Sequence, residues 1–418
     1  MVIFFVTLFI LSLLFSKLFI GKIFTPFSIF LCNYFLCLTL FFGSSFVNKD
    51  ISKSSWLILG ISLVVFVLGN ILYISMPKKK KEFRGYNQDK IRSIFFKFSQ
   101  AAFILSLLGF ISYLIVIQQK VGLLNTISDP NLLNLAISED TISINMISLI
   151  FFKLSFPNSG ILLLQYLEFG KSKKILIYWI ISILINISVK RNVLFYIVIY
   201  NLVIYLFNNA NKKKNILKIK ELVLLLISTV GSIYIFQFLQ KKLNKESLLF
   251  KPEIFFIPIS TSFATTLLYY IGNPISFSIY MSDISDYSKQ VPFLGVTFRF
   301  VYKIIYGFFG KNYDDSFLAL KFVNTPYPFN TTFSQYYIYL EGGILWLIVF
   351  YFLLGFFSIR SYLLFIQKKD YISLVNLSFI LVFMIFSIRE YLPILLDFWV
   401  FLFYLFSLTT IIKRKCRI

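Results

Sequence analysis

The sequence contains no histidine and only three cysteines among its 418 residues. Without histidine, the usual zinc ligands and any catalytic triad or general base built on an imidazole are excluded. Cys32, Cys37 and Cys416 have no spacing typical of a metal site, and the first two lie in an apolar run, where buried thiols are common. We therefore expect no disulfide framework, no metal site and no other cofactor.

Charge is also scarce, since 14% of the residues are charged against about 25% in typical soluble proteins. Hydrophobic residues make up 58% of the chain, and the mean hydropathy is +0.81. No compact water-soluble core of this size could bury so much apolar surface. The sequence therefore predicts an all-α polytopic membrane protein. Its formal net charge of +23 is typical of basic cytoplasmic loops in such a protein, and we expect no nucleic-acid partner.

Apolar stretches long enough to cross a hydrocarbon core of about 30 Å recur along the chain. We predict about eleven transmembrane helices, or about thirteen if two apolar stretches of a late loop also cross. The predicted spans are 2–15, 23–46, 56–75, 98–117, 142–167, 175–189, 193–207, 222–239, 336–357, 372–388 and 392–412.

Basic residues predict the orientation of these spans, because Lys and Arg in short loops stay cytoplasmic. The basic clusters at 78–97, 171–174, 212–220 and 413–417 can all lie on one side. The N-terminus is then outside, as a retained first span, and the C-terminus is inside. This organisation gives a transmembrane bundle at 1–239, a large outside loop at 240–335 and C-terminal spans at 336–418.

The outside loop contains two apolar stretches, 253–271 and 292–309, which we predict to be short membrane-surface or re-entrant helices. Its carboxylate pairs Asp283/Asp286 and Asp314/Asp315 lie near aromatic residues. That composition suits sugar binding, and an ordinary solvated loop explains it about as well.

Cations near the outer membrane face are candidate functional residues, because charge there costs free energy and needs a partner or a role. Lys190 and Arg191 lie between two short spans, where they either act on a substrate or contact lipid headgroups. Arg299 and Lys303 are four residues apart, which predicts one helical face, either functional or part of an amphipathic interfacial helix. Arg389 is followed by Glu390, and a local ion pair is one interpretation of this sequence.

A polar run enters the ninth predicted span and holds the other candidates. It includes Asn330, Thr332 and Tyr336, and it ends with Glu341 and two glycines. A carboxylate at this depth needs a cation, hydrogen-bond donors or a water-filled cavity, whereas the glycines can be explained by close helix packing. Asp397 is a second carboxylate at the start of the last span.

Two of these motifs carry a family resemblance. The run Asn330-Thr331-Thr332-Phe333-Ser334-Gln335 through Glu341-Gly342-Gly343, before a long apolar span, resembles the end of the large outer loop in Wzy-type O-antigen and capsule repeat-unit polymerases. The stretch Ile187-Ser188-Val189-Lys190-Arg191-Asn192 is similar to the arginine-bearing hairpin of that family. Related O-antigen ligases usually have a histidine before the corresponding span, and its absence here favours a polymerase.

The resemblance implies a GT-C-like fold in the bacterial inner membrane and a glycosyltransferase activity. The enzyme would join undecaprenyl-diphosphate-linked oligosaccharides into O-antigen or capsular polysaccharide, without a metal or other cofactor. Its partners would be these donor and acceptor lipids, membrane lipids and a chain-length regulator protein. The implied roles are catalytic base for Glu341, with Asp397 as the second choice; diphosphate binding for Arg191 and Arg299, supported by Lys190, Lys303 and Arg389; and sugar binding for Asn330, Thr332 and Tyr336.

Alternative functions remain open on the sequence alone. A lipid-linked oligosaccharide flippase or another transporter would also be multi-spanning, basic and aromatic, although many transporters have repeated halves. An O-antigen ligase is the other alternative. Glu341 could also be structural, paired with Arg299 or Arg389 so that the loop is held against the spans.

Overall fold

The computed structural model describes residues 1–45, 47–76, 88–128, 132, 145–170, 172–187, 191–212, 252–284, 291–318, 320–325, 328–368 and 371–415. These residues are almost entirely helical. The helices are α1 Val2–Ile20, α2 Pro26–Gly43, α3 Lys53–Ser75, α4 Gln88–Lys120, α5 Leu123–Ser128, α6 Met146–Lys153, α7 Ser155–Glu168, α8 Lys173–Ile187, α9 Arg191–Lys212, α10 Thr261–Ile271, α11 Asn273–Ser282, α12 Arg299–Phe308, α13 Ser334–Lys368, α14 Tyr371–Phe386 and α15 Leu396–Lys415.

Seven helical segments among the described residues are long and apolar enough to cross a membrane. They are Val2–Ile20, Pro26–Gly43, Lys53–Ser75, Lys90–Lys120, Met146–Glu168, Ser334–Gln367 and Leu396–Lys415. Each coincides with a predicted span. By helix length and hydropathy, the chain is a multi-pass helical membrane protein.

The remaining predicted spans have different outcomes. The seventh and tenth correspond to the shorter apolar helices Phe195–Asn209 and Tyr371–Phe386, and the sixth corresponds to α8, which has 15 residues. At a rise of about 1.5 Å per residue, α8 and α14 are shorter than a typical hydrocarbon core, whereas the whole of α9, with 22 residues, is about long enough to cross it. The predicted span 222–239 lies outside the described residues. Within the fifth span, which is one of the seven long segments, a turn at Leu154 separates α6 from α7, although the backbone of Leu154 stays in the right-handed helical region.

The chain forms two compact units that combine distant parts of the sequence. Unit 1 consists of Met1–Lys79, Leu248–Gln367 and Ile380–Leu395; unit 2 consists of Lys80–Ser247, Lys368–Phe379 and Leu396–Ile418. The consecutive segments 1–239, 240–335 and 336–418 remain a prediction about sequence organisation, and the compact units draw on more than one of them.

Hydroxyl side chains define helix starts in unit 1. Thr25 caps α2, where its hydroxyl accepts the Ser28 N–H and the Ser28 hydroxyl accepts the Thr25 N–H. Pro26 follows in the first helical position, where its fixed φ suits the helix and no N–H is needed. Ser52 caps α3 through the N–H of Ser55. These capped starts fix where the first loops of the bundle end.

The described part of the predicted outside loop contains short helices and two small antiparallel hairpins. Strand β1 (Glu253–Ile254) pairs with β2 (Ile257–Pro258), and β3 (Val323–Asn324) pairs with β4 (Pro328–Phe329). An isolated bridge joins Ser44 to Ile254. Buried apolar residues of α2, the loop after it, α10, α11 and the hairpins form one cluster: Phe41, Val47, Ile254, Ala264, Leu268, Ile271, Ile275 and Phe329.

The loop packs against the ends of several spanning helices in unit 1. The first hairpin adjoins the end of α2 through Ser44, and the N–H of Ser52 before α3 donates to Ser278 Oγ of α11 at 2.8 Å. At the start of α13, the Ser334 N–H donates to the Ser387 carbonyl at 2.9 Å, beyond the end of α14. These helix ends therefore lie on the same side of unit 1 as the loop, while their side of the membrane stays a prediction.

Candidate functional site

A break in the spanning helix α13 creates the centre of the candidate site. Gly343 has φ 63° and ψ −158°, a non-helical conformation in which an L-residue is strained and which is almost restricted to glycine. Gly342 is held close to Trp346, since a Cβ at Gly342 would lie 2.5 Å from the Trp346 Cβ. The two glycines therefore permit a break inside a helix as well as close packing.

Glu341 lies shortly before this break and is buried, with 3% of its surface exposed. Thr297 donates to both carboxylate oxygens, from its N–H to Oε2 at 2.7 Å and from its hydroxyl to Oε1 at 2.6 Å. The carbonyl of Glu341 accepts the N–H of Leu294 at 3.3 Å. The loop segment around Thr297 is thus fastened to the first turns of α13 by both the side chain and the backbone of Glu341.

Two aromatic residues complete the surroundings of the Glu341 carboxylate. Trp346 Nε1 donates to Oε1 at 2.9 Å, and the Tyr391 hydroxyl donates to the same oxygen at 3.4 Å. The Tyr391 hydroxyl is also in hydrogen-bond contact with the Thr297 hydroxyl. Among the described residues, the partners of this carboxylate are thus amide, hydroxyl and indole donors, and neither Arg299 nor Arg389 forms an ion pair with it.

Arg299 and Lys303 share a helical face, as their spacing predicts, and both contact Asp315. The Lys303 ammonium lies 2.8 Å from Asp315 Oδ2, and an Arg299 guanidinium nitrogen contacts the same oxygen. Partial burial acts to raise the pKa of Asp315, but the hydrogen bond from Lys303 and the positive charge of Arg299 lower it overall. Two cations against one carboxylate leave this cluster with a net positive charge.

Helix α12, which carries these two cations, is amphipathic, and none of its described side chains is buried. Its opposite face exposes Val301, Ile304 and Phe308, the last with 86% of its surface exposed. The sequence prediction of a helix within 292–309 is confirmed for residues 299–308. Its association with a membrane surface remains a prediction.

Tyr313 lies near both carboxylates of the site. Burial raises the pKa of its hydroxyl, and the negative charges of Asp315 and Glu341 add to that effect. The hydroxyl donates to the carbonyl of Gly295 at 3.1 Å. Glu341 and the Arg299/Lys303/Asp315 cluster therefore belong to one neighbourhood within unit 1.

The predicted sugar-binding residues differ in exposure. Asn330 is exposed, whereas Thr332 and Tyr336 are buried. The Thr332 hydroxyl has no hydrogen-bond partner among the described residues. The Tyr336 ring packs against Tyr280, with the ring centroids 5.5 Å apart, so its stacking partners in this structure are other side chains.

The remaining candidates lie elsewhere. Arg389 forms a loose ion pair with Glu390 at 3.6 Å in unit 1, in agreement with one interpretation of the sequence. Asp397 belongs to unit 2, where it forms an ion pair with Lys153 at 3.0 Å. Lys190 lies outside the described residues, and Arg191 is the first residue of α9. Within the described part of the chain, no three Cys, Asp or Glu side chains come together as metal ligands.

Sequence reasoning missed three contributors to this site: Thr297, Trp346 and Tyr391. It singled out Asp315 within a carboxylate pair suited to sugar binding, and did not predict its contact with Arg299 and Lys303. Helix periodicity gave no indication of Trp346, because a residue five positions after Glu341 lies on a different face of a regular helix. The break at Gly343 changes this arrangement. Two adjacent glycines after a buried carboxylate were the available signal for such a break.

Comparisons with protein families, with curated proteins and with solved structures find no match to this chain. It is a polytopic helical membrane protein with a hydrogen-bonded carboxylate at a helix break.

Proposed function

We propose that the chain polymerises undecaprenyl-diphosphate-linked oligosaccharide repeat units into O-antigen or capsular polysaccharide at the outer face of a bacterial inner membrane. The proposal begins from the resemblance of its loop and hairpin motifs to Wzy-type polymerases. The observation that carries it furthest is the position of Glu341 beside a net positive cluster. A glycosyl transfer from a lipid diphosphate needs both a base and cations for the departing group.

The environment of Glu341 supports a role as base. Oε1 lies within hydrogen-bond distance of the Trp346 indole N–H and of the Thr297 and Tyr391 hydroxyls, of which one donates to the other, whereas Thr297 N–H is the only donor to Oε2 among the described residues. The carboxylate is thus held in one orientation with acceptor capacity left on Oε2. In the proposed step, a sugar hydroxyl of one repeat unit attacks the anomeric carbon of the growing chain, and its proton passes to Glu341.

The cations are needed in this proposal because negative charge develops on the leaving group. As the new glycosidic bond forms, the bond from the anomeric carbon to the diphosphate oxygen breaks, and the electron pair leaves with undecaprenyl diphosphate. Arg299 and Lys303 can stabilise this negative charge, because one positive charge of their cluster is not neutralised by Asp315. The buried Nε of Arg299 has no hydrogen-bond partner among the described residues, so it can donate to a phosphate oxygen. Arg389 is proposed to support Arg299 and Lys303, and Arg191 is proposed to bind the other diphosphate with the support of Lys190.

Polymerisation by the purified full chain tests Glu341 directly. In proteoliposomes with a synthetic undecaprenyl-diphosphate oligosaccharide, we expect Glu341→Gln to slow chain extension by about a hundredfold or more, because the amide cannot accept the proton. Trp346→Phe is the matched control, since it removes one donor to the carboxylate but keeps the base. We expect its rate to stay within about tenfold of the wild type.

Thermal unfolding of the same variants distinguishes a catalytic role of Glu341 from a structural one. A Gln side chain would turn its NH2 group toward donors that now face a carboxylate, so some loss of stability is expected. If Glu341→Gln extends chains at a near-normal rate and only its unfolding temperature falls, Glu341 is structural and Asp397 becomes the next candidate base.

Transport of a lipid-linked oligosaccharide is the second candidate function. The broken helix α13 favours it, because discontinuous membrane helices often form substrate sites in transporters. In the same proteoliposomes, a transporter would move the labelled lipid between leaflets without lengthening its glycan. A polymerase would lengthen the glycan even in detergent, where no leaflets exist.

A further inference from the structure

Unit 2 contains a cavity of about 590 Å³ that the proposed reaction does not use. It lies where the start of α4, the end of α7 and the start of α8 meet. The positive-inside rule places it on the cytoplasmic side, because Arg92 in its wall belongs to one basic cluster of the sequence and Ser172 directly precedes Lys173 and Lys174 of another. Its lining residues include Arg92, Ser93, Phe96, Gln165, Phe169 and Ser172.

Arg92 gives this cavity a fixed cation. Its Nη2 donates to the Phe169 carbonyl at 2.7 Å, and its guanidinium carbon lies 5.8 Å from the centroid of the Phe169 ring. Among the described residues, Arg92 forms no ion pair, so its other guanidinium donors can serve an anion. Holding the guanidinium in place reduces the entropy lost when such an anion binds.

The start of α8 adds further positive charge. The helix begins with Lys173 and Lys174 and has no acidic residue in its first turn. The first backbone N–H groups of a helix have no intrahelical acceptor. The lysine charges and the positive end of the helix dipole repel each other. An anion bound there would be stabilised by the lysines and by the dipole. The positive-inside bias explains the lysines but not the cavity beside them.

Gln165 is an independent indication of a ligand with a hydroxyl group. It is 2% exposed and forms part of the cavity wall. Its Nε2 donates to the Phe95 carbonyl and to Ser99 Oγ, while its Oε1 has no hydrogen-bond partner among the described residues. A buried acceptor without a donor costs free energy that a ligand hydroxyl could recover.

Apolar side chains continue from the cavity along its two bordering helices. Phe96 of α4 is 40% exposed, and Ile177 and Ile180 of α8 are 53% and 42% exposed. In a membrane protein such faces contact acyl chains. We propose that this cavity binds the headgroup of an anionic phospholipid with a hydroxyl beside its phosphate, of which phosphatidylglycerol is the simplest example.

Lipid retention by the purified full chain tests this proposal without reference to catalysis. Native mass spectrometry in detergent would measure bound phosphatidylglycerol at increasing mole fractions. We expect Arg92→Gln to weaken binding by about tenfold, because charge-assisted hydrogen bonds to phosphate are lost. Arg414→Gln, at an exposed arginine of the same unit, is the matched control and should bind as the wild type does. Equal retention by all three proteins would overturn the proposal.

Two other ligands test whether the headgroup hydroxyl is recognised and whether the ligand is a lipid or a soluble phosphate ester. Phosphatidylethanol has the same charge but lacks the hydroxyl, and we expect it to bind about fivefold more weakly; equal binding would contradict the role of Gln165. Glycerol 3-phosphate should compete poorly, and effective competition would assign the cavity to a soluble phosphate ester instead. If Arg92→Gln does not fold, Ser93→Trp, which fills the cavity from an exposed helix position, should abolish retention.

Discussion

Individual charges within the spanning helices have specific partners in this protein. Lys153 ends α6 and Asp397 lies in the first turn of α15, so each charge also suits the dipole of its own helix. Both side chains are less than a tenth exposed. The cost of placing these charges within an apolar bundle is offset by their ion pair.

Removing one member of this pair should leave the other charge buried and unpaired. We expect Lys153→Met to destabilise the protein by about 3 kcal/mol or more, because Asp397 would lose its counter-ion. The double variant Lys153→Met/Asp397→Leu should recover much of that loss. Reversible unfolding in detergent provides the measurement, and a single variant as stable as the wild type would show that the pair contributes little.

Some of these residue contacts were predictable and others were not. Lys153 and Asp397 are opposite charges inside two predicted spans, but Glu341 is a second carboxylate of this kind, and the sequence did not determine which of the two pairs with Lys153. The spacing of Arg299 and Lys303 correctly predicted a shared face. Their contact with Asp315, and that of Glu341 with Thr297, join loop and helix positions far apart in sequence. Sequence periodicity holds no information on such tertiary contacts.

The break in α13 is the element on which the candidate site depends. The sequence predicted one span from 336 to 357, whereas the structure has a helix of 35 residues with a non-helical residue at Gly343. Periodicity finds apolar stretches, but it does not reveal a local break that one residue permits. The same limit applies to the turn at Leu154.

Replacing Gly343 by alanine should disrupt this element through its backbone conformation alone. Apart from the adjacent backbone, no atom of the described residues lies within 4 Å of the position that a Cβ at Gly343 would occupy, and the same is true of Gly60 in the regular helix α3. We expect Gly343→Ala to lose about 1–3 kcal/mol of stability because of its positive φ. Gly60→Ala should be neutral or stabilising by up to about 1 kcal/mol. Equal unfolding temperatures for the two variants would contradict the break.

At the scale of the whole molecule, the predicted topology can be tested with single cysteines. Cys32 and Cys37 are buried, so replacing Cys416 with serine gives a background with little labelling. Ser316 and Ser172 are both exposed. We expect Ser316→Cys to react with an impermeant reagent added outside, and Ser172→Cys to react only after permeabilisation. Labelling of both from the same side would contradict the orientation derived from basic residues.

The membrane class and most of the long spans were predictable from hydropathy alone, since seven predicted spans coincide with long apolar helices. The two compact units were not predictable. They combine segments separated by more than a hundred residues, and only tertiary contacts determine which segments associate.

The surface polysaccharide of a bacterial host lacking this gene tests the central claim most directly. If the chain is a repeat-unit polymerase, electrophoresis should show single repeat units with no ladder of longer chains, and the wild-type gene should restore the ladder whereas the Glu341→Gln gene should not. An unchanged ladder, or complete loss of attached repeat units, would contradict the proposed polymerase, and the second result would instead indicate a flippase or a ligase.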